Sequence, residues 1–328
     1  MKGQELEILQ QYDIDVKSTR KIRGAVLCET NQGIFLLKEM CFSEKRIPFL
    51  HKLYEHLMEQ GCQKIDCIVK NKEDSLVSMS ENGEKYILKQ WFYGKECDSK
   101  KEIEIMEAVR NLALLHRIMK QPFEENIFLK EDLKQEFFRH NREIKKVRKF
   151  IRDKVGNGEF EILFLKHFDS MNEWALAASE RLQSSDYDFL LQKSKEDGTI
   201  VHGDYNYHNI LMTSHGTVTT NFEHFYEGIQ VADLYYFLRK TLEKNQWNVE
   251  LGSKMLEHYN RIQPLSKEEI QYIAICLAYP EKFWKAANSY YRSSKAWISV
   301  KSVEKLQMAI KQMEEKRKFL EEVFSFYL

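Results

Sequence analysis

A single change of period constrains this chain most. Up to about Leu88 the apolar residues alternate or fall in short runs broken by turn residues, while beyond Gly94 they recur at intervals of three and four. Asp15–Lys21 and Ala25–Thr30 read as extended segments separated by Gly24, and Asn31-Gln32-Gly33 turns into a third strand, Ile34–Met40, which carries Lys38. After Ser43 and Pro48, the residues Phe49, Leu50, Leu53, Leu57 and Met58 keep a helical period that Gly61 ends. Short strands follow at Ile65–Val69, Leu76–Met79 and Lys85–Leu88, leading into Gln90-Trp91-Phe92-Tyr93-Gly94. Then helical stripes take over: Ile103, Met106, Val109, Leu112, Ala113 and Leu115-His116; Phe137, Ile144, Val147 and Ile151 on a helix rich in Arg and Lys; and Leu306, Ile310, Met313, Leu320 and Phe324 on one long terminal helix. The expected class is α+β: a small strand-rich lobe over 1–89, a hinge at 90–94 and a large helical lobe over 95–328.

Composition removes whole classes of function. At 328 residues the length suggests about two folding units, and thirteen glycines with four prolines rule out collagen-like or linker architecture. Fifty basic residues balance fifty acidic ones, so no global field calls for nucleic acid or an anionic membrane. Apolar runs such as Ile162–Leu165 are far short of the roughly 20 residues of a membrane span, and Met1–Val16 lacks the core of a signal peptide. Cys28, Cys41, Cys62, Cys67, Cys97 and Cys276 form no Cys-x-x-Cys pair, which predicts reduced, mostly buried thiols and synthesis in the cytoplasm.

The helical region is interrupted once, at Ile200-Val201-His202-Gly203-Asp204-Tyr205-Asn206-Tyr207-His208-Asn209-Ile210-Leu211-Met212. A short apolar strand, a turn bearing an acid, an Asn five residues later and a second apolar strand make a loop aimed at a cleft. Ser214–Thr217 turns into a returning strand, Val218–Glu223, on which Asn221 and Glu223 share a face and meet Asn209.

These residues resemble the aminoglycoside/choline kinase branch of the two-lobed protein-kinase-like fold. His202-Gly203-Asp204 followed by Asn209 fits that family's catalytic loop, Asn221-Phe222-Glu223 falls at its metal motif, and Lys38 matches its third-strand lysine. The resemblance implies phosphoryl transfer from ATP with Mg²⁺ to a small hydroxyl-bearing acceptor, in which positioning and charge neutralisation do the chemistry. Asp204 then orients the acceptor hydroxyl and takes its proton. Asn209, Asn221 and Glu223 form the metal site, and Lys38 gives a point charge to the phosphates. Glu55, with Glu44 as the other option, is the helix acid expected to hold Lys38, and Gln90 and Phe92 border the adenine. Two departures matter. The leading metal acid is Asn221, a neutral amide, and the nucleotide-covering turn around Lys21–Ala25 has one glycine.

A narrower resemblance spans nearly the whole chain. Arg139–Arg148, Phe160–Leu165, Asn221–Phe225, Val231–Leu234, Leu242–Asn248, Tyr279–Trp284 and Lys295–Ile298 are similar to the CotS-type spore-coat proteins of endospore-forming bacteria. That implies a protein made in the mother cell and deposited in the coat among other coat proteins, on a degenerate phosphotransferase scaffold with weak or absent transfer. The alternative is an active ATP-dependent small-molecule or sugar kinase using Asp204. Other candidates receive plainer expectations. Asp233 is a buried structural acid, His202 holds loop backbone, and His208 and His224 make no zinc site. The basic run Arg139–Lys154 is a solvated face, and Phe283, Trp284, Tyr290, Tyr291 and Trp297 are core packing rather than an ammonium cage.

Overall fold

The computed structural model describes residues 3–22, 24–120, 130–293 and 300–327. In chain order the elements are α1 (Gly3–Gln10), β1 (Val16–Ile22), β2 (Ala25–Thr30), β3 (Gly33–Glu39), α2 (Ile47–Glu59), β4 (Ile68–Val69), β5 (Ser78–Met79), β6 (Lys85–Trp91), β7 (Lys95–Glu96), α3 (Glu102–Ile118) and α4 (Leu133–Asp153). They continue with α5 (Glu159–Gln183), α6 (Tyr187–Glu196), β8 (Ile200–Val201), β9 (Ile210–Thr213), β10 (Gly216–Thr219), β11 (Tyr226–Glu227), α7 (Val231–Leu242), α8 (Val249–Asn260), α9 (Lys267–Ala278), α10 (Glu281–Arg292), α11 (Val300–Lys311) and α12 (Met313–Phe324). By contacts the chain divides into two compact units, Met1–Gln121 with His202–Phe225, and Pro122–Val201 with Tyr226–Leu328. The loop segment His202–Phe225 is therefore grouped with the N-terminal sheet and α3.

In the first unit, β1-β2-β3-β6-β4 form an antiparallel sheet, with β5 also paired to β6. Strand alternation sorts its residues between two apolar clusters. Val26, Cys28, Phe35, Leu37 and Leu88 pack with Ile8, Leu9 and Tyr12 of α1 and its exit turn, while Leu27, Ile34 and Leu36 gather on the other side. The register places Leu36 opposite Lys89 and Lys38 opposite Ile87, so the two lysines lie on one face of the sheet. A second small sheet, β10-β9-β7, carries the strand that leaves the loop. α2 starts with Pro48 in its first turn and buries Leu50, Leu53, Tyr54 and Leu57, the helical stripe expected.

Among its described residues, the second unit is helical apart from the short β8–β11 ladder. One apolar cluster joins Ile144, Val147 and Ile151 of α4 to Phe160, Phe164, Phe168 and Met171 of α5, with Phe283, Ala287 and Leu306 closing it. The rings of Phe164 and Phe283 stack at 5.1 Å. Asp132 caps α4 by accepting from the Lys134 and Gln135 amides, and Ser266 and Glu269 form a reciprocal capping box on α9, such caps contributing about 1 kcal/mol each.

Six expectations change. β6 continues to Trp91, so Gln90 is a strand residue opposite Phe35 and only 92–94 are left as a non-strand connection. Ile103, placed in the α3 stripe, is exposed, whereas Met106, Val109, Leu112 and Ala113 are buried. The single terminal helix is two, α11 and α12, broken at Gln312, whose side-chain amide donates to the Glu243 carbonyl. The returning strand stops at Thr219. Of the six free thiols only Cys28, Cys97 and Cys276 are buried. The aromatic residues divide: Phe283 is core and Tyr290 stacks on Phe160, but Tyr291 is exposed and Trp297 lies outside the described residues. Among the described residues, no helix is long and apolar enough to cross a membrane.

Candidate functional site

The loop is built around His202. Its Nδ1 accepts the Asp204 amide at 3.1 Å and its Nε2 lies 3.0 Å from the Thr220 carbonyl. An amide can only donate and a carbonyl only accept, so this fully buried imidazole is neutral, with its proton on Nε2. It fixes loop backbone, as expected. Gly203 follows at φ +83°, where an added Cβ would run into the His224 carbonyl. Tyr205 anchors the loop to α3 by donating to the Ala108 carbonyl at 2.7 Å.

Asp204 is half-buried, and its two carboxylate oxygens accept from Asn206 Nδ2 at 2.9 Å and Asn209 Nδ2 at 2.7 Å. Asn209 turns its oxygen the other way, where it accepts from Asn221 Nδ2 at 2.8 Å. Asn221 Oδ1 in turn accepts from Lys38 Nζ at 3.2 Å. A chain of bonds thus runs Asp204–Asn209–Asn221–Lys38 within the first unit. Asn221 is no strand residue: it sits at φ 64°, a left-handed conformation that Asn tolerates better than most side chains, and Phe222–His224 form a 3₁₀ turn.

That turn overturns the shared strand face. Glu223 points to the lysines instead. Its Oε1 lies 3.2 Å from Lys38 Nζ and 2.7 Å from Lys89 Nζ, and its Oε2 is buried without a hydrogen-bond partner. Lys89, with no exposed surface, also bonds Asp66 Oδ2 at 2.7 Å, and that oxygen accepts the Asn221 amide at 2.8 Å. Tyr54 of α2 donates to Asp66 Oδ1 at 3.1 Å. Burial alone would raise the Glu223 carboxyl, but Lys89 and then Lys38 outweigh it and hold it at about 2. Burial works against the Lys89 ammonium, which the Asp66 and Glu223 charges nonetheless hold above its ordinary value.

Glu55 is not the partner of Lys38. It is exposed on α2, 3.3 Å from His51, and Glu44 pairs with Lys85. The acid beside Lys38 comes from the loop segment. Asp66, Lys89 and Tyr54 were missed altogether; the one local signal was that Lys89 continues the Lys85–Leu88 strand onto the face of Lys38. His208 lies 2.7 Å from Glu96, and Asp233 is buried in α7 of the second unit.

The cleft of this unit has a volume of about 620 Å³. Ile22, Leu27, Leu36, Trp91, Phe92 and Leu211 give it apolar walls, and Lys38, Asn209 and Asn221 a polar end. Gln90 is not among its lining residues. An apolar slot with one cationic end fits a nucleotide's base and phosphates. The residues do not fit Mg²⁺ comparably. Asn209 and Asn221 offer neutral amide oxygens that each already accept one bond, and both lysines hold Glu223 through Oε1, which leaves Oε2 as its one unbonded oxygen, whereas Mg²⁺ favours several carboxylate oxygens in an octahedral set.

Comparison with known proteins agrees with this architecture. Spore coat protein S of Bacillus subtilis (strain 168) is 23% identical over 98% of this chain and 94% of its own. An aminoglycoside phosphotransferase from Alicyclobacillus acidocaldarius superposes with a TM-score of 0.87 at 19% identity, covering 98% of this chain and 95% of that one. Spectinomycin phosphotransferase in complex with ADP and spectinomycin superposes at 0.64 with 10% identity, covering 95% and 98%. The fold is therefore the two-lobed aminoglycoside phosphotransferase and choline kinase-like α+β fold. With residues 5–323 matching the family described as Spore coat putative kinase YutH, the chain belongs to that spore-coat family.

Proposed function

We propose that this protein is a component of the spore coat, made in the mother cell, in which a phosphotransferase scaffold serves as a building block and ATP-dependent transfer is weak or absent. The division into lobes at 1–89 and 95–328 joined by 90–94, and contacts with other coat proteins, belong to the same proposal. The observation that carries it is Asn221: a neutral amide stands where the related kinases carry an acid, and it is bonded into the Asn209–Lys38 chain. The coat likeness of Spore coat protein S over the whole chain supports the location.

Asp204→Asn tests the building-block role directly. The variant keeps the size of the side chain and one of its two acceptor oxygens, so spores expressing it are expected to hold wild-type amounts of the protein in their coat extracts. A coat depleted of the folded variant overturns the proposal. The complementary variant, Asn221→Asp, restores a carboxylate at the polar end; a gain of Mg²⁺-dependent thermal stabilisation by ATP, absent from the parent, is the expected outcome.

A second reading, an active kinase for a small alcohol or sugar, draws on Asp204 itself. Each of its oxygens accepts one side-chain bond, which leaves lone pairs for an acceptor hydroxyl. Mg²⁺-dependent ADP release with a hydroxyl acceptor, abolished by Asp204→Asn, would favour it over the first.

A further inference from the structure

Two lysines share one carboxylate oxygen, and they are not equivalent. Lys89 is fully buried, 2.7 Å from Glu223 Oε1, and held a second time by Asp66. Lys38 is 32% exposed, sits 3.2 Å from the same oxygen, and lines the cleft. We propose that Lys89 is a positioning residue that keeps Glu223 neutralised so that Lys38 is free to leave it for a phosphate, and that the cleft binds a nucleoside polyphosphate without a divalent cation.

The physical reason is the cost of a buried, unpaired charge. Were Glu223 paired with Lys38 alone, moving that lysine to a ligand would strand a carboxylate that is 3% exposed and already has one oxygen without a partner. With Lys89 in place the carboxylate keeps its counter-ion, and only one long ion contact and the Asn221 bond are exchanged for a charge-assisted bond to phosphate. The ammonium pair is resident where a metal-dependent site would import its positive charge. The proposal rests on the fit of the cleft to a nucleotide's base and phosphates, but it concerns binding, not transfer.

Calorimetric titration with ATP in excess EDTA tests it. Wild-type protein is expected to bind, with added Mg²⁺ changing the dissociation constant less than about threefold; binding only with Mg²⁺, or none at all, overturns the proposal. Lys89→Met is expected to weaken ATP about tenfold, the equivalent of one charge-assisted hydrogen bond, although Lys89 does not line the cleft. Adding Glu223→Gln to that variant removes the charge that traps Lys38 and should recover affinity to within about threefold of wild type. A merely structural Lys89 would give no such rescue. Should Lys89→Met fail to fold, Glu223→Gln alone decides: tighter ATP binding in EDTA is expected, and unchanged or weaker binding overturns the proposal. Transfer, which bears on the coat reading, is read separately as ADP release with Mg²⁺, so the two can fail independently.

Discussion

At the scale of residues, two glycines with nearly the same φ separate conformational strain from steric exclusion. Gly61 and Gly203 have φ of +82° and +83°, but a Cβ at Gly61 would meet nothing within 4 Å while one at Gly203 would strike the His224 carbonyl. Gly61→Ala should therefore cost only the left-handed penalty, about 1 kcal/mol. Gly203→Ala should cost about 2–4 kcal/mol, because the loop and the 3₁₀ turn must part. Equal denaturation midpoints for the two variants would show that the loop does not press on the turn. Legibility in sequence divides by distance here. Asp204 and Asn209 are five positions apart, and their bond is implicit in the motif. Asp66 meets Asn221 across 155 positions and Lys38 meets it across 183. No local pattern encodes such a pairing, which is why family resemblance supplied Lys38 while Asp66 and Lys89 were missed and Glu55 was misplaced.

At the scale of elements, α12 shows what periodicity cannot see. Leu306, Ile310, Met313, Leu320 and Phe324 keep a helical spacing across Gln312, so the pattern reads as one helix although the backbone breaks there. Phe319 and Leu320 bury the second piece, and a polar contact adds to them. Lys316 is buried, donates to the Ala278 and Tyr279 carbonyls at 3.2 and 3.0 Å at the C-terminus of α9, and lies 5.8 and 5.7 Å from the centres of the Trp174 and Trp247 rings. Burial, with Arg239 adding to it, lowers its ammonium to about 7, while Glu243 and Glu281 oppose and Lys282 adds to the lowering. Its ordinary value is 10.5, so above about pH 7 the unfolded chain binds a proton that the folded chain does not. The Lys316 contribution therefore makes stability rise from about pH 7 upward, until its unfolded value is passed. Wild-type midpoints should climb between about pH 7 and pH 8, where most thiols are still protonated, by only part of the full effect of that shift, and those of Lys316→Met should stay nearly flat. A parallel climb in the variant would remove Lys316 as the cause. By contrast α2 and α4 were readable from sequence, because Pro48 stands at the start of the first and each keeps a helical apolar stripe that the fold buries.

At the scale of the whole molecule, every residue lining the cleft belongs to the first of the two units. The sheet clusters around Leu37 and Leu36 support the cleft, whereas the cluster of Phe164, Phe168, Phe283 and Leu306 belongs to the other unit. If binding energy at the cleft is felt where its residues are packed, ATP should slow amide hydrogen exchange in β1–β3, in β6 and across His202–Phe225. Exchange in α5, α10 and α11 should change little under conditions where the units open below the level of global unfolding. The Asn221 amide is a particular reporter, since it donates to Asp66 and stays in place when Lys38 moves to a phosphate. Protection confined to the first unit would mean that a ligand at the cleft leaves the helical core, and any coat contacts on it, untouched. Equal slowing in the Phe164 cluster would instead mean that the two cores open as one cooperative body, and that occupancy of the cleft is reported across the whole scaffold.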